Sequence, residues 1–335
     1  MEIETRQILF VDLNQVASHT EAATLLPPSN GVIIETRFSC ISAGTELAKL
    51  TGLQNFAYPG PIGNRAIGRV LEKGEQCRHV EVGDLVFTHS HHASHSQSQR
   101  LIAPLPDSLD CPEAAMLGMA MVAITGIRVA RPEIGDCAVV IGAGLVGQFV
   151  AQLLELNGVR AIVVDPSPGR LATARECGAW QTVEAGEDAS QSVLELTDGR
   201  GAEHVLECTG IPAVAEAAVA FAAQSAQVVL VGSPRGEHMV DMTPFLNSIH
   251  LWRDQGDLTL KGAHEWRIPV FPVHGGKHSL LRNARILTEL VESDRLSLKP
   301  LLSHMFEPGD CQQAYELLRT DRDACLGVVF DWTCQ

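Results

Sequence analysis

The 335-residue sequence has no C-x-x-C pair, no internal repeat, no low-complexity tract and no Gly/Ser linker. Its nine cysteines (Cys40, Cys77, Cys111, Cys137, Cys177, Cys208, Cys311, Cys325 and Cys334) are odd in number and scattered. That argues against a disulfide framework and a clustered zinc knuckle, and leaves them as small, reduced, mostly buried apolar residues. Positive charge is also scarce: 25 Lys and Arg face 40 Asp and Glu, a formal net charge of -15. No nucleic acid and no anionic membrane surface is expected as main partner. A small anionic substrate remains compatible, because one local cluster of Lys and Arg can oppose the global field. The start, Met1-Glu2-Ile3-Glu4-Thr5-Arg6, lacks a positive region followed by an apolar core. The most apolar stretch, 138–156, is interrupted by Gly142, Gly144, Gly147, Gln148 and Gln152 and fits a buried strand, turn and helix. A soluble, cytoplasmic chain is therefore expected.

What is present is a globular composition, 45% hydrophobic and 19% charged, long enough for one large domain or two ordinary ones. Up to about residue 110 the chain reads as short strands, among them 7–11, 31–40, 66–71 and 84–88, broken by turns at Pro27-Pro28, Tyr58-Pro59-Gly60 and Val82-Gly83-Asp84. This predicts a mostly β, barrel-like domain. Residues 112–130 read as a helix. Beyond Gly135-Asp136, strands at 137–141, 161–165, 204–208 and 226–232 alternate with helices at 145–156, 170–177 and 214–222. Such alternation implies an α/β, doubly wound parallel sheet. Helices at 279–292 and 311–319 and a strand at 326–331 return to the first domain and make it discontinuous. The expected division is 1–118 with 266–335, and 119–265.

The most informative stretch is Gly142-Ala143-Gly144-Leu145-Val146-Gly147, which ends an apolar strand and opens a helix. Alone, G-x-G-x-x-G is weak. Here an acid, Asp165, stands at the end of the next strand, 18 residues beyond Gly147, and that context points to a dinucleotide site. Gly142 makes the tight turn, Gly144 lets the backbone approach a pyrophosphate, and Gly147 lets the helix pack on the strand. The first-turn N–H groups, at Leu145 and Val146, would meet the phosphates. Asp165 would accept hydrogen bonds from ribose hydroxyls and repel a 2′-phosphate, which favours NAD over NADP; Arg170, five residues on, softens that discrimination.

Over nearly its whole length the chain resembles the medium-chain dehydrogenase/reductase superfamily. The resemblance rests on the Val82-Gly83-Asp84 turn, Ile134-Gly135-Asp136, Glu207-Cys208-Thr209-Gly210, Val229-Leu230-Val231-Gly232 and Leu258-Thr259-Leu260-Lys261-Gly262. It implies a Rossmann domain, a GroES-like catalytic domain, and a nicotinamide half lined by Cys208, Thr209, Gly210, Gly232 and Ser233. It also implies a homodimer joined near 258–262. The departures matter as much. Where zinc-dependent relatives carry C-G-T-D and G-H-E motifs, this chain reads Ala43-Gly44-Thr45-Glu46 and Gly63-Asn64-Arg65-Ala66. No Cys or carboxylate stands near Leu117-Gly118-Met119, where a third ligand is expected, and no four-cysteine lobe fits into 86–100. Zinc needs three N, S or O ligands and an open position, so no metal is expected. Ile41-Ser42-Ala43-Gly44-Thr45-Glu46 is similar to a zinc-lacking branch that includes bacteriochlorophyllide a dehydrogenase-type members.

Without zinc, another group must stabilise charge on oxygen and handle the proton. Thr45 matches the family's hydroxyl relay, but a hydroxyl cannot hold charge. The run Thr88-His89-Ser90-His91-His92-Ala93-Ser94-His95 offers an acid or base, with His91 as first choice; a solvated polar loop is the bland alternative, and the density of histidine also invites a metal-ligand reading, the least favoured of the three. Asn64 and Arg65 stand at the former metal position, and Lys49, Arg65 and Arg100 are candidate holders of a substrate carboxylate or phosphate; outward salt bridges are the alternative. The tract 266–278 is a candidate lid or subunit contact. The preferred function is NAD-linked hydride transfer at an alcohol or ketone carbon of a sugar, cyclitol or biosynthetic ketone. The alternatives are an NAD(P)H-dependent enoyl or quinone reductase and a non-catalytic NAD-binding protein.

Overall fold

The computed structural model describes residues 2–252 and 255–334; Met1 and Gln335, the outer limits of the expected domain ranges, lie outside the described residues. The chain divides into two units, Met1–Met121 with Ile268–Gln335, and Val122–Arg267.

In the first unit β1 (Glu2–Asp12) and β2 (Gln15–Thr24) form an antiparallel hairpin, and β4 (Gly60–Pro61) adds to β1. The chain reverses at Asn14, whose φ of 59° suits a short polar side chain. A seven-stranded sheet carries β15 (Leu302–Phe306), β16 (Gly327–Asp331), β3 (Val32–Cys40), β5 (Ala66–Lys73), β6 (Leu85–Thr88) and β8 (Ile102–Leu105) in that order, with β7 (His95–Ser98) also paired to β3. Ile8 and Phe10 of β1 point inward at alternate positions. They share a core with Leu47 and Leu50 of α1 (Ala43–Leu50), Tyr315 and Leu318 of α9 (Cys311–Thr320), and Phe330. Phe10 meets Tyr315 edge to face at 5.1 Å between centroids. Helix α8 (Leu280–Glu292) starts at a Ser279 cap and buries Leu280, Ala284 and Leu287.

The second unit is one six-stranded, all-parallel sheet. Its strands are β9 (Cys137–Ile141), β10 (Arg160–Asp165), β11 (Gln181–Glu184), β12 (Ala202–Glu207), β13 (Ala222–Leu230) and β14 (Thr259–Gly262), in the spatial order β11-β10-β9-β12-β13-β14. This is the Rossmann order. Its central strands are buried on both faces, which is why Cys137–Ile141 is apolar throughout. The connecting helices are α3 (Leu145–Leu156), α4 (Pro168–Glu176), α5 (Ala189–Leu196), α6 (Pro212–Ala217) and α7 (Met242–His250). Strand order reverses between β9 and β12, and the carboxyl ends of strands at such a point form the crevice where α/β sheets bind ligands. The α/β class, with a Rossmann sheet and a separate mostly β unit, agrees with the sequence reading.

Several predicted limits need correction. Residues 112–130 are a 3-10 segment, Pro112–Met116, followed by α2 (Leu117–Ala130). By length and composition Pro112–Ala130 is apolar enough to cross a membrane, and 78% of its window is buried inside the protein. The predicted helix 214–222 begins at Pro212, whose fixed φ suits a first turn, and tightens into a 3-10 turn at Ala218–Phe221. Ala222 already belongs to β13, which stops at Leu230. Strand β12 ends at Glu207, one residue short of the predicted limit.

Candidate functional site

In the second unit, Gly142 has φ +96° and donates its N–H to the Val164 carbonyl at 2.8 Å. A Cβ there would lie 2.7 Å from Thr209 Cγ2. A Cβ on Gly147 would overlap the Gly142 carbonyl oxygen, so helix and strand approach as closely as backbone permits. At Gly144 the reverse holds: an added Cβ would meet nothing within 4 Å. Among the described residues, no side chain reaches into that space. Gly144 is the N-cap of α3 and no side chain caps the helix, so its first turn, Leu145 and Val146 included, presents N–H groups and positive dipole to that space. A pyrophosphate fits such a cradle.

Asp165, buried at the end of β10, accepts the Ala143 N–H at 2.7 Å on one oxygen and the Ser167 N–H at 2.8 Å on the other. It braces the glycine turn itself, and each oxygen retains a further lone pair for a ribose hydroxyl. Arg170 lies in the first turn of α4, its N–H directed to the Ser167 hydroxyl at 3.5 Å and its carbonyl held by Gln148 Nε2 at 2.9 Å. Beyond β12, Cys208 donates its backbone N–H to the Ile141 carbonyl, which ties this loop to the strand carrying the glycine turn. Thr209 is exposed, and Gly210, with φ +69°, sits so tightly on Ser233 that a Cβ would strike the Ser233 carbonyl. A Cβ on Gly232 would lie 2.9 Å from Gly210 Cα. The five candidate glycines, Gly142, Gly144, Gly147, Gly210 and Gly232, and their neighbours therefore gather beyond the carboxyl ends of β9, β12 and β13.

In the first unit Thr45 lies half-buried in the first turn of α1. Asn64 is half-buried and Arg65 buried, and they directly precede β5. The aliphatic part of Arg65 runs across Gly118 so closely that no Cβ would fit there, and its guanidinium bonds to His89 Nε2 and to the Asn64 carbonyl at 3.3 Å. The histidine run thus splits. His89 pairs with Arg65, and Phe87 meets it edge to face at 5.8 Å. His91 shares a hydrogen bond with the Gly63 carbonyl at 3.1 Å; crowding by surrounding protein pulls its pKa below the ordinary histidine value. His92 is buried, with Nδ1 2.8 Å from Ser39 Oγ and Nε2 3.1 Å from Glu46 Oε2. His95 contacts Ser94 Oγ at 3.1 Å. Among the sequence candidates, Arg65 and Asn64 are brought together; His91 approaches them only through the Gly63 backbone, and it is His89 that joins Arg65.

Reading the sequence missed a buried polar network behind these residues. Glu46 accepts from Tyr315 Oη, His92 and, at 2.8 Å, the Ser42 N–H, while Trp332 Nε1 donates to Ser39 at 2.8 Å. Burial alone would push the Glu46 carboxyl up; His92, Tyr315 and the Ser42 N–H outweigh it and hold the pKa below the usual glutamate value. The neighbouring Cys40 thiol is pushed up to about 12 by burial and by the Glu46 charge, so it is no nucleophile. The lone acid in the helix-opening Ala43-Gly44-Thr45-Glu46 was the available signal. Among the described residues no three or more His, Cys, Asp and Glu side chains gather in a way that could hold a metal ion.

Residues 146–267 match the family model described as zinc-binding dehydrogenase. A zinc-type alcohol dehydrogenase-like protein of Escherichia coli strain K12, YdjJ, is 25% identical over 72% of this chain and 63% of its own length, so the match spans less than two thirds of that relative. The 2-dehydro-3-deoxy-L-galactonate 5-dehydrogenase of Pseudoalteromonas atlantica is 23% identical over 90% of this chain and 92% of its own. A solved dehydrogenase structure from Sinorhizobium meliloti 1021, bound to NADP, superposes with a TM-score of 0.80 at 16% identity, covering 98% of this chain and 99% of that one. Residues 146–267 are thus similar to zinc-binding dehydrogenases, and the relatives to which the chain is similar are dehydrogenases.

Proposed function

We propose that this chain is an NAD(H)-dependent oxidoreductase that works without zinc and transfers a hydride at an alcohol or ketone carbon of a polyfunctional, anionic small molecule. The observation that carries the reading is the pairing of an open Gly144 cradle at the N-terminus of α3 with the Asp165 carboxylate at the end of β10. Gly142, Gly144 and Gly147 shape the turn, Leu145 and Val146 present N–H groups to phosphate, and Asp165 takes the ribose hydroxyls. A carboxylate there disfavours a 2′-phosphate, hence NAD over NADP, with Arg170 near enough to moderate the preference. Cys208, Thr209, Gly210, Gly232 and Ser233 line the nicotinamide half. Bound nicotinamide would supply or accept the hydride; everything else falls to the protein.

The donor set does not suit a catalytic zinc. Ala43 has no ligand atom, Asn64 offers a neutral amide, and the Arg65 side chain already fills the space over Gly118. A cation fixed beside His89 is chemically suited to hold a carboxylate or a developing alkoxide, with Thr45 and a histidine of the 88–95 run, His91 or His89, moving the proton. The relative acting on a sugar acid favours an anionic substrate class. The exposed edge strand β14, with Thr259, Leu260 and Gly262 at the surface, supports a homodimer formed across it. The test is NAD-linked turnover of a panel of sugar acids, polyols and their phosphates, with chelator present throughout. Reduction of NAD by an anionic polyol supports the reading; turnover only after added zinc contradicts it.

A further inference from the structure

Glu207 ends β12 between two partners: in register it faces Ile141 of β9 on one side and Leu230 of β13 on the other. Its side chain has no solvent exposure. The carboxylate turns back onto the loop that follows. One oxygen accepts the Thr209 N–H at 2.6 Å, the Thr209 hydroxyl and the Gly210 N–H at 3.1 Å; the other lies 3.2 Å from the Gly210 N–H. The Glu207 carbonyl accepts from both Val231 at 2.8 Å and Gly232 at 2.9 Å. The Thr209 hydroxyl in turn accepts the Ile211 N–H at 3.0 Å, and the Gly210 carbonyl accepts the Arg235 N–H at 3.1 Å. Burial pushes the Glu207 carboxyl up, and the donors from Thr209 and Gly210 pull it back. One residue thus gathers the loops after β12 and β13, and the methyl of Thr209 is pressed against Gly142, the first glycine of the phosphate turn.

A buried acid is costly to keep unless its hydrogen bonds are used. Here they are spent on Thr209 and Gly210, in the loop beyond the carboxyl end of β12. The adenosine side of the crevice is braced separately, by Asp165 on Ala143 and by Gly142 on the Val164 carbonyl. We propose that Glu207 is a positioning residue: through Thr209 and Gly210 it fixes the loop that receives the nicotinamide half, while the adenosine half is held independently. This inference rests on the nicotinamide-cofactor reading above.

Two ligands separate the halves, NADH and ADP-ribose, each titrated into the full-length chain. In Glu207→Gln, NADH affinity falls about tenfold or more, since hydrogen bonds to a charged group are lost from a loop that must then be ordered by the ligand. ADP-ribose affinity stays at the wild-type value. Should the core substitution impair folding, the exposed Thr209 gives the same reading: Thr209→Val keeps the methyl and loses the hydroxyl, and weakens NADH alone, whereas Thr209→Ser restores it. Equal losses for both ligands, or unchanged NADH affinity in Glu207→Gln and Thr209→Val, overturn the inference while leaving the cofactor reading intact. Wild-type protein that binds neither ligand overturns both.

Discussion

His92 Nε2 lies 3.1 Å from Glu46 Oε2, with both side chains shut off from solvent and Tyr315 bonded to the same carboxylate oxygen. The pair joins α1 to the loop after β6 and to α9, three segments far apart in sequence. Removing the acid strands a buried imidazole and a buried phenol. Glu46→Ala is therefore expected to cost about 3–5 kcal/mol of unfolding free energy, and Tyr315→Phe about 1–3 kcal/mol. Urea unfolding of the two variants against wild type measures both; a Glu46→Ala loss no larger than that of a surface substitution would contradict the assignment.

The same carboxylate sets an acid limit. Its folded pKa lies below the usual value of 4.5, so its contribution to stability is complete above that value. The contribution is lost as pH falls through the depressed folded value, because the unfolded state binds the proton first. Stability measured from pH 6 downward should decline below the ordinary glutamate range, and more shallowly in Glu46→Gln. Parallel declines in the two proteins would remove Glu46 from the account.

The glycine turn yields a contrast between neighbours. Gly147→Ala must displace the Gly142 carbonyl, so its melting temperature should fall together with its NADH affinity. Gly144→Ala meets no protein atom, so it should melt as wild type and still lose NADH affinity, by about tenfold or more if a pyrophosphate lies against that Cα. A Gly144→Ala variant with full affinity would place the phosphates elsewhere.

Metal analysis gives a fourth check. Purified protein should carry substoichiometric zinc, and prolonged chelation should leave melting temperature and turnover unchanged. Arg65→Met should lower turnover of an anionic substrate much more than that of a neutral analogue. Stoichiometric zinc, or equal losses on both substrates, would refute the role given to Arg65.

Much of the fold was legible because it follows from periodicity. The unbroken apolar strand 137–141 and the helix 145–156 after it were read with the limits the structure has. What periodicity cannot carry was not read. Strand β2, Gln-Val-Ala-Ser-His-Thr-Glu-Ala-Ala-Thr, is largely exposed and is a strand because β1 lies beside it. Helix α1 contains Gly44 and Thr45, poor helix formers, and owes its form to burial of Leu47, Ala48 and Leu50. Four histidines in seven residues look equivalent in sequence. The bridge between Gln7 and Ala93 and the hydrogen bonds of His92 backbone to Ile8 and Ile62 turn that run, sending His92 inward and His89 to Arg65. Glu207 was read only as part of the Glu207-Cys208-Thr209-Gly210 segment, because most of the hydrogen bonds it accepts come from backbone N–H groups, which no side-chain motif records.

The central claim is tested most directly by titrating the purified chain with NADH and, separately, NADPH, following the nicotinamide fluorescence. Saturable binding of one NADH per chain, with NADPH weaker and the preference reduced in Asp165→Asn, is the predicted result. Absence of saturation by either dinucleotide would contradict it.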